Sequence, residues 1–348
     1  MATEDQPSES EESSPFRAES EYDATLIDVY EVVLERWILS PLRVLWSDYR
    51  GRVGLIMLTI YVLMGTVGVV FYPDTQVMEH PMNTLAPAFQ NMEYPLGTNR
   101  VGEDLLAKVI HATPEMFKMM IAGAVFGNCL GLTIGLFAGY LGGNVDKVLM
   151  TFTDTIGSIP GIPLLLILAA LFEPTNAWLV GIMVSITGWT GLARGIRAQV
   201  LPLRKTEYVE ASQSMGQSTS NVLIKQILPD LLPLFAIRLF GGATGVIRAS
   251  VALYFLGILP VNRYNWGFML NQAYQNSGAL SDPSTIHWLL TPIVTITGLT
   301  FALTLLAQAF DQVFNPRVRA RHEARRRSSD RERLEEEETE SHTSQLEL

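Results

Sequence analysis

Charged side chains are scarce in this chain: Asp, Glu, Lys and Arg make up 17% of its 348 residues, against 48% hydrophobic, and the mean hydropathy is +0.21. A soluble domain carries about 25% charged residues, and here the apolar ones fall in long blocks, which excludes an ordinary water-soluble fold. Cysteine is limited to Cys129, so an intrachain disulfide is excluded. No Gly-Lys dipeptide occurs anywhere, so no Gly-x-x-x-x-Gly-Lys loop exists to cradle the phosphates of a nucleotide. The five histidines, His80, His111, His287, His322 and His342, are scattered and none has metal-ligand spacing to another. No metal site and no catalytic set is expected. The first 35 residues are acidic and lack an apolar core, so no signal peptide is expected either.

The apolar blocks are what the chain has instead. Uncharged runs at 53–71, 119–141, 174–193 and 288–310 each approach the roughly 20 residues that cross about 30 Å of hydrocarbon. Two more blocks, 148–172 and 231–259, are long enough but carry Asp154 in the first and Arg238 and Arg248 in the second. Counting all six as spans, with those charges facing protein or water, predicts an all-α polytopic membrane protein with six transmembrane helices. Thirteen Lys and Arg then flank the spans on the side of both termini and four on the other. The positive-inside rule makes the termini cytoplasmic in a multi-pass protein of the cell membrane. The formal charge of -10 comes from residues 1–35, with eleven acids and one Arg; the remainder balances. The expected organisation is a disordered acidic tail over 1–35, an interfacial segment and first span over 36–72, an external loop over 73–115, a core of five spans over 116–315, and a charged cytoplasmic tail over 316–348.

Within the blocks, Gly123, Gly127, Gly131, Gly135 and Gly139 recur every four residues and lie along one ridge of a helix, where a neighbouring backbone can approach closely. The neighbour is either another helix of the same bundle or a second chain. The run "SIPGIP" places Pro160 and Pro163 in the third span, which predicts a bent or locally opened helix. Asp154 and Arg248 are candidates for lining a path through the membrane; the alternative for these charges, Arg238 included, is an interhelical ion pair or snorkelling toward an interface.

The most polar stretch between two spans is "EYVEASQSMGQSTSNVLIKQILPD", residues 207–230, in a loop too long for a turn and too patterned for a linker. A short helix is expected from Thr206 as N-cap to Met215, with Glu207 and Glu210 near the positive end of its dipole. Gly216 would end it in the left-handed conformation, and a second short helix would start at the Ser/Thr pair and stop before Pro229. Such a pair makes a shaped protrusion suited to a partner's groove.

Glu210-Ala211-Ser212, three residues, Gly216, nine residues and then Gln226-Ile227-Leu228-Pro229 resemble the EAA loop of ABC-importer permeases. "YPLGTNRVGEDLLAKVIH" at 94–111, "DTIGSIPGIPLLLIL", "LYFLGI" followed by "NWGFML", and "FDQVFNPRVR" are similar to segments of one subgroup, the second (C-type) permease subunit of dipeptide, oligopeptide and nickel importers. The resemblance covers roughly residues 50–320. It implies a type I importer permease fold and a loop at 201–229 that couples to separate ATPase subunits through Glu207, Glu210, Ala211, Ser212, Gly216 and Ile227-Leu228-Pro229. It implies a heterodimer with a homologous permease, two ATP-binding subunits that hold ATP and Mg, an extracytoplasmic solute-binding protein, the membrane, and no nucleic acid. The chain itself would carry no cofactor and no catalytic residue. Departures fall outside the loop, apart from Ser212 for the second alanine: Asn99 and Glu103 stand where the family has Asp and Arg, and Ser250 stands where many relatives carry a glutamate, two residues after Arg248. The other function classes compatible with the residues are a secondary transporter, which would show discontinuous helices and usually internal repeats, and a membrane scaffold that docks a cytoplasmic partner.

Overall fold

A computed structural model describes residues 45, 46, 48–74, 84–90, 92–276 and 282–314. The acidic tail over 1–35, the interfacial segment before residue 45 and the tail over 316–348 lie outside the described residues. Among the described residues there is no strand, only an isolated bridge between Thr98 and Asp104. The helices are α1 (Tyr49–Phe71), α2 (Leu105–Leu141), α3 (Gly143–Ser158), α4 (Gly161–Phe172), α5 (Ala177–Val184), α6 (Trp189–Leu203), α7 (Glu207–Ser214), α8 (Thr219–Val222), α9 (Leu228–Phe255), α10 (Trp266–Asn276) and α11 (Ile286–Phe314).

Three of these are long and apolar enough to cross a membrane: α1, α2 and α11 with the 3-10 turn before it. Two bent pairs raise the number to five if each is one span: α3 with α4, bent by 83°, and α5 with α6, bent by 57°. α9 has the length, at 28 residues, but it carries Asp230, Arg238 and Arg248 and is not among the spans by apolarity.

Local chemistry explains the element boundaries. Asp48 caps α1 by accepting from the Arg50 amide at 3.4 Å, and Asp104 caps α2 by accepting from Leu106 at 2.9 Å. α2 begins earlier than expected, so residues 105–115, assigned from the sequence to the external loop, are its first turns. Lys108, His111 and Pro114 hid this start from a reading based on apolar runs. The 83° bend falls at Ile159, extended at φ -71° and ψ 126°, because a residue before proline is driven out of the helical region. Pro160 then caps α4.

The second bend corrects the expectation of one continuous span over 174–193. α5 ends at Ser185, whose hydroxyl donates to the carbonyls of Gly181 and Ile182, and the chain turns through Ser185–Gly188 before α6 starts at Trp189. α6 then continues to Leu203, through residues 194–203 that were expected to lie in the cytoplasmic loop.

α2 is the central element, and its glycine ridge meets α5 and α6 of the same chain. A Cβ on Gly123 would lie 2.4 Å from the Gly181 carbonyl oxygen, one on Gly131 2.9 Å from that of Trp189, and one on Gly135 2.5 Å from that of Ala193. Gly139 packs on Val200 and Arg197, and Gly127 faces Ser185 at an ordinary 3.4 Å. The bend between α5 and α6 thus follows the ridge along its whole length. Two clusters flank it. Met116, Met119, Ile247, Tyr254, Trp266 and Leu299 belong to the larger, between α2, α9, α10 and α11. Leu136, Ile196, Val200, Val209, Val222 and Ile227 belong to the other, which joins α2 and α6 to the 207–230 loop.

Candidate coupling loop and transmembrane cavity

The 207–230 loop is anchored from below and exposed above. Val209, Val222 and Ile227 are fully buried, so one face of α7 and α8 is fixed to α2 and α6. Ser212 is buried too, and its hydroxyl accepts from the Gln226 amide at 2.5 Å, tying the two short helices together. Glu207, Glu210, Ala211 and Pro229 remain exposed and Leu228 half-buried. Beside them stand the exposed apolar side chains of Tyr208, Met215 and Ile224, which spacing alone did not single out. The Tyr208 hydroxyl donates to Asp230 at 2.9 Å across the loop.

Gly216 ends α7 at φ +76°. The Gln217 amide donates to the Ser212 carbonyl at 3.1 Å and the Gly216 amide to that of Gln213 at 3.0 Å, the paired bonds of a Schellman motif. Thr206 precedes α7 in an extended conformation, but its hydroxyl donates back to the Leu203 carbonyl at 2.6 Å rather than capping α7. Ser218 does cap α8, accepting from Asn221 at 3.4 Å. The second helix does not stop before Pro229 as expected. It passes through a π-helical turn, Leu223–Ile227, directly into α9. Pro229 follows the π-helical turn, where the Leu228 amide already bonds five residues back to Leu223 and the regular four-residue ladder is interrupted.

The charged residues of the apolar blocks divide into two groups. Asp154 on α3 accepts from Arg194 on α6 at 3.0 Å, an interhelical ion pair on the exposed side of both helices. Asp146 receives both ends of the Arg197 guanidinium, at 2.5 and 2.6 Å, and Arg204 donates to the last carbonyls of α2 at Gly139 and Tyr140. These pairs clamp α6 to α2 and α3, and the Asp146–Arg197 pair could have been suspected only from charge complementarity. Arg238 and Arg248 on α9 are exposed and have no hydrogen bond or ion pair among the described residues. Arg238 stands in the wall of a cavity of about 480 Å³ between α2, α9 and the break of α5 and α6. Ser250, two residues from Arg248, is fully buried and its hydroxyl donates to the Ile247 carbonyl at 3.0 Å.

A third arrangement lies in the segment before α2. Glu103 is buried and accepts from Asn99 at 2.6 Å, Lys108 at 2.5 Å and Arg263 at 2.6 Å. Burial pushes the Glu103 carboxyl up, but Lys108, Arg263 and Asn99 outweigh it and hold its pKa below its ordinary value. The two departures noted in this segment, Asn99 and Glu103, are thus direct partners, and the buried Lys108 supplies the compensating charge. His111 and His287 bond to backbone carbonyls, of Tyr72 for the first and of Ser284 and Thr98 for the second.

With this geometry in hand, comparison with known proteins gives one answer. Residues 131–320 match the family described as binding-protein-dependent transport system inner membrane component. An oligopeptide transport system permease protein OppC of Haemophilus influenzae is 30% identical over 241 residues, 66% of this chain and 76% of its own length. The dipeptide transport system permease protein DppC of Bacillus subtilis is 24% identical over 269 residues, covering 76% of this chain and 81% of that one. A glutathione transport system permease protein GsiD of Pectobacterium atrosepticum is 25% identical over 298 residues, 83% and 95% of the two chains. Discontinuous helices alone would have fitted a secondary transporter as well, but the match covers the Gly131–Gly139 part of the ridge, both bent pairs and the loop together. The chain belongs to the binding-protein-dependent transport system inner membrane components, the multi-pass permease subunits of ABC importers.

Proposed function

We propose that this chain is the second permease subunit of an ATP-driven peptide importer. It spans the membrane six times, with the two bent pairs and α9 completing the spans, and both termini cytoplasmic. It pairs with a homologous permease, receives cargo from an external binding protein, and couples through residues 201–229 to two ATPase subunits that hold ATP and Mg. The peptide cargo is argued from the relatives, whose printed names include oligopeptide, dipeptide and glutathione transport.

The observation that carries the reading is the loop itself. Its buried face is welded to α2 and α6 through Val209, Val222 and Ile227, while Glu207, Glu210, Ala211 and the neighbouring Tyr208 and Met215 are offered outward. A partner that grips the outer face therefore pulls on the ends of α2, α6 and α9 as one body. Closure of an ATPase dimer would then switch the spans between inward-open and outward-open arrangements, with ATP supplying the differential binding that shifts the equilibrium.

The test is at Gly216. A Cβ there meets nothing within 4 Å, so any penalty is conformational and not a clash. Gly216→Val should cost about 1–2 kcal/mol of local stability in the left-handed conformation, lowering ATPase co-purification and peptide uptake while the spans stay folded. Gly216→Asn, which tolerates that conformation, should retain both. Normal uptake by the valine variant with its ATPase would refute the coupling role.

A further inference from the structure

Among the described residues, nothing pairs with the cation in the wall of the cavity beside α9. The other arginines that join helices or external segments are engaged: Arg194 with Asp154, Arg197 with Asp146, Arg204 with the carboxyl-end carbonyls of α2, and Arg263 with Glu103. Arg238 and Arg248 are not, and among the described residues no carboxylate lines the cavity into which Arg238 faces; its walls include Gly123, Gly127, Asn128, Ser185, Trp189 and the α9 glycines. An unpaired guanidinium within an apolar span is costly unless it faces water or an anion.

Beyond its first turn, the exposed residues of α9 lie on one strip. Arg238, Gly241, Gly245, Arg248 and Ala252 fall within a sector of about 80° at 3.6 residues per turn, and four of them are exposed, with Gly245 partly so. The opposite side is buried through Ala243, Val246, Ile247, Ser250 and Val251. A Cβ on Gly241 or Gly245 would meet nothing within 4 Å, so open space lies against the backbone between the two arginines. The arginines are ten residues apart, about 15 Å along the helix axis at 1.5 Å per residue.

We propose that Arg238 and Arg248 are two successive anion stations of the translocation path, which take the carboxylates of peptide cargo in turn as it passes the bare glycine strip between them. The proposal rests on the peptide-permease reading and adds to it the chemistry by which this chain touches its cargo. Guanidinium binds carboxylate through paired charge-assisted bonds. Two such sites about 15 Å apart on one strip, with only glycines between them there, let a carboxylate leave one without being trapped by a third group.

The test uses the whole transporter in proteoliposomes: both permeases, the ATPases and the binding protein, with uptake of Ala-Glu-Ala and Ala-Ala-Ala. In the double variant Arg238→Gln, Arg248→Gln, uptake of Ala-Glu-Ala should fall about tenfold or more, the loss of one charge-assisted interaction, and uptake of Ala-Ala-Ala by less. Binding-protein-stimulated ATP hydrolysis should stay within about twofold, since coupling is elsewhere. The double lysine variant keeps the charges and should keep most of the uptake. Unchanged uptake, or equal loss for the two peptides, overturns the proposal. So does loss of the sister permease from the purified complex, which would mean that the arginines pair with carboxylates of that subunit. If the unaltered transporter takes up neither peptide, the peptide reading itself fails and takes this proposal with it, an outcome distinct from transport that ignores the arginines.

Discussion

Glu103 illustrates how a buried charge is held by partners near and far along the chain, Lys108 and Arg263. Its side chain is 4% exposed, as is that of Lys108, so the pair is a buried ion pair whose value depends on both members being present. Removing one member of such a pair costs about 3–5 kcal/mol because the other charge is left buried and alone. Glu103→Gln should therefore lower the thermal midpoint of the purified permease by several degrees, whereas Glu103→Leu combined with Lys108→Met should recover much of the loss. Acid has a related effect. The folded pKa of Glu103 lies below its ordinary value of 4.5, so the stabilisation is present above that value and is lost as pH falls through the depressed pKa. The unaltered protein should lose stability in that range, and the glutamine variant should show a flatter acid limb; identical pH profiles would exclude this linkage. None of this was legible in the sequence, where Glu103 stood only as a departure from a pattern. The partner Arg263 lies 160 residues away, and no local rule joins them.

At the level of the element, the glycine ridge of α2 makes graded demands. The Cβ of a residue at 135 would fall 2.5 Å from the Ala193 carbonyl oxygen and 2.7 Å from the Ile196 Cβ, both atoms that cannot swing away. At 127 the nearest atom is the Ser185 Cβ at 3.4 Å. Gly135→Ala should separate α2 from α6 and destabilise the protein by about 1–3 kcal/mol or more, as overpacking does, while Gly127→Ala should be nearly silent. Yield and thermal midpoint of the two variants make the comparison, and equal behaviour would contradict the packing described. The four-residue period announced a close approach. That the approaching partner is a broken helix of the same chain required the fold, because the bend at Ser185–Gly188 is set by a serine that bonds its own helix and by α6 leaning back along the ridge. The Pro160 bend, in contrast, was visible in advance, since proline acts on its immediate neighbour.

For the whole molecule, the central question is which surface faces which side. The proposed topology places the 207–230 loop in the cytoplasm and residues 84–104 outside. The chain has a single cysteine, Cys129, so Cys129→Ala provides a background for two reporters. Met92, 96% exposed, should when replaced by cysteine react with a membrane-impermeant maleimide added outside intact cells. A cysteine in place of Gln217, exposed beside the α7 terminus, should react only after the membrane is opened. Labelling of both from the same side would overturn the orientation, and with it the handle through which an ATPase could act.

What the sequence determined by itself was everything governed by near neighbours: a membrane chain, from long apolar runs; a helix terminus at Gly216, from a residue free to take positive φ; a bend at Pro160; and a close packing ridge on α2. Tertiary structure alone decided which distant groups meet. It joined Glu103 to Arg263, set Asp154 against Arg194, divided the fourth apolar block in two, ran the second loop helix into α9, and left Arg238 and Arg248 facing open space. The division has a physical cause. Hydropathy, capping and backbone preference act over a few residues, whereas an ion pair or a cavity belongs to surfaces brought together only when the helices pack.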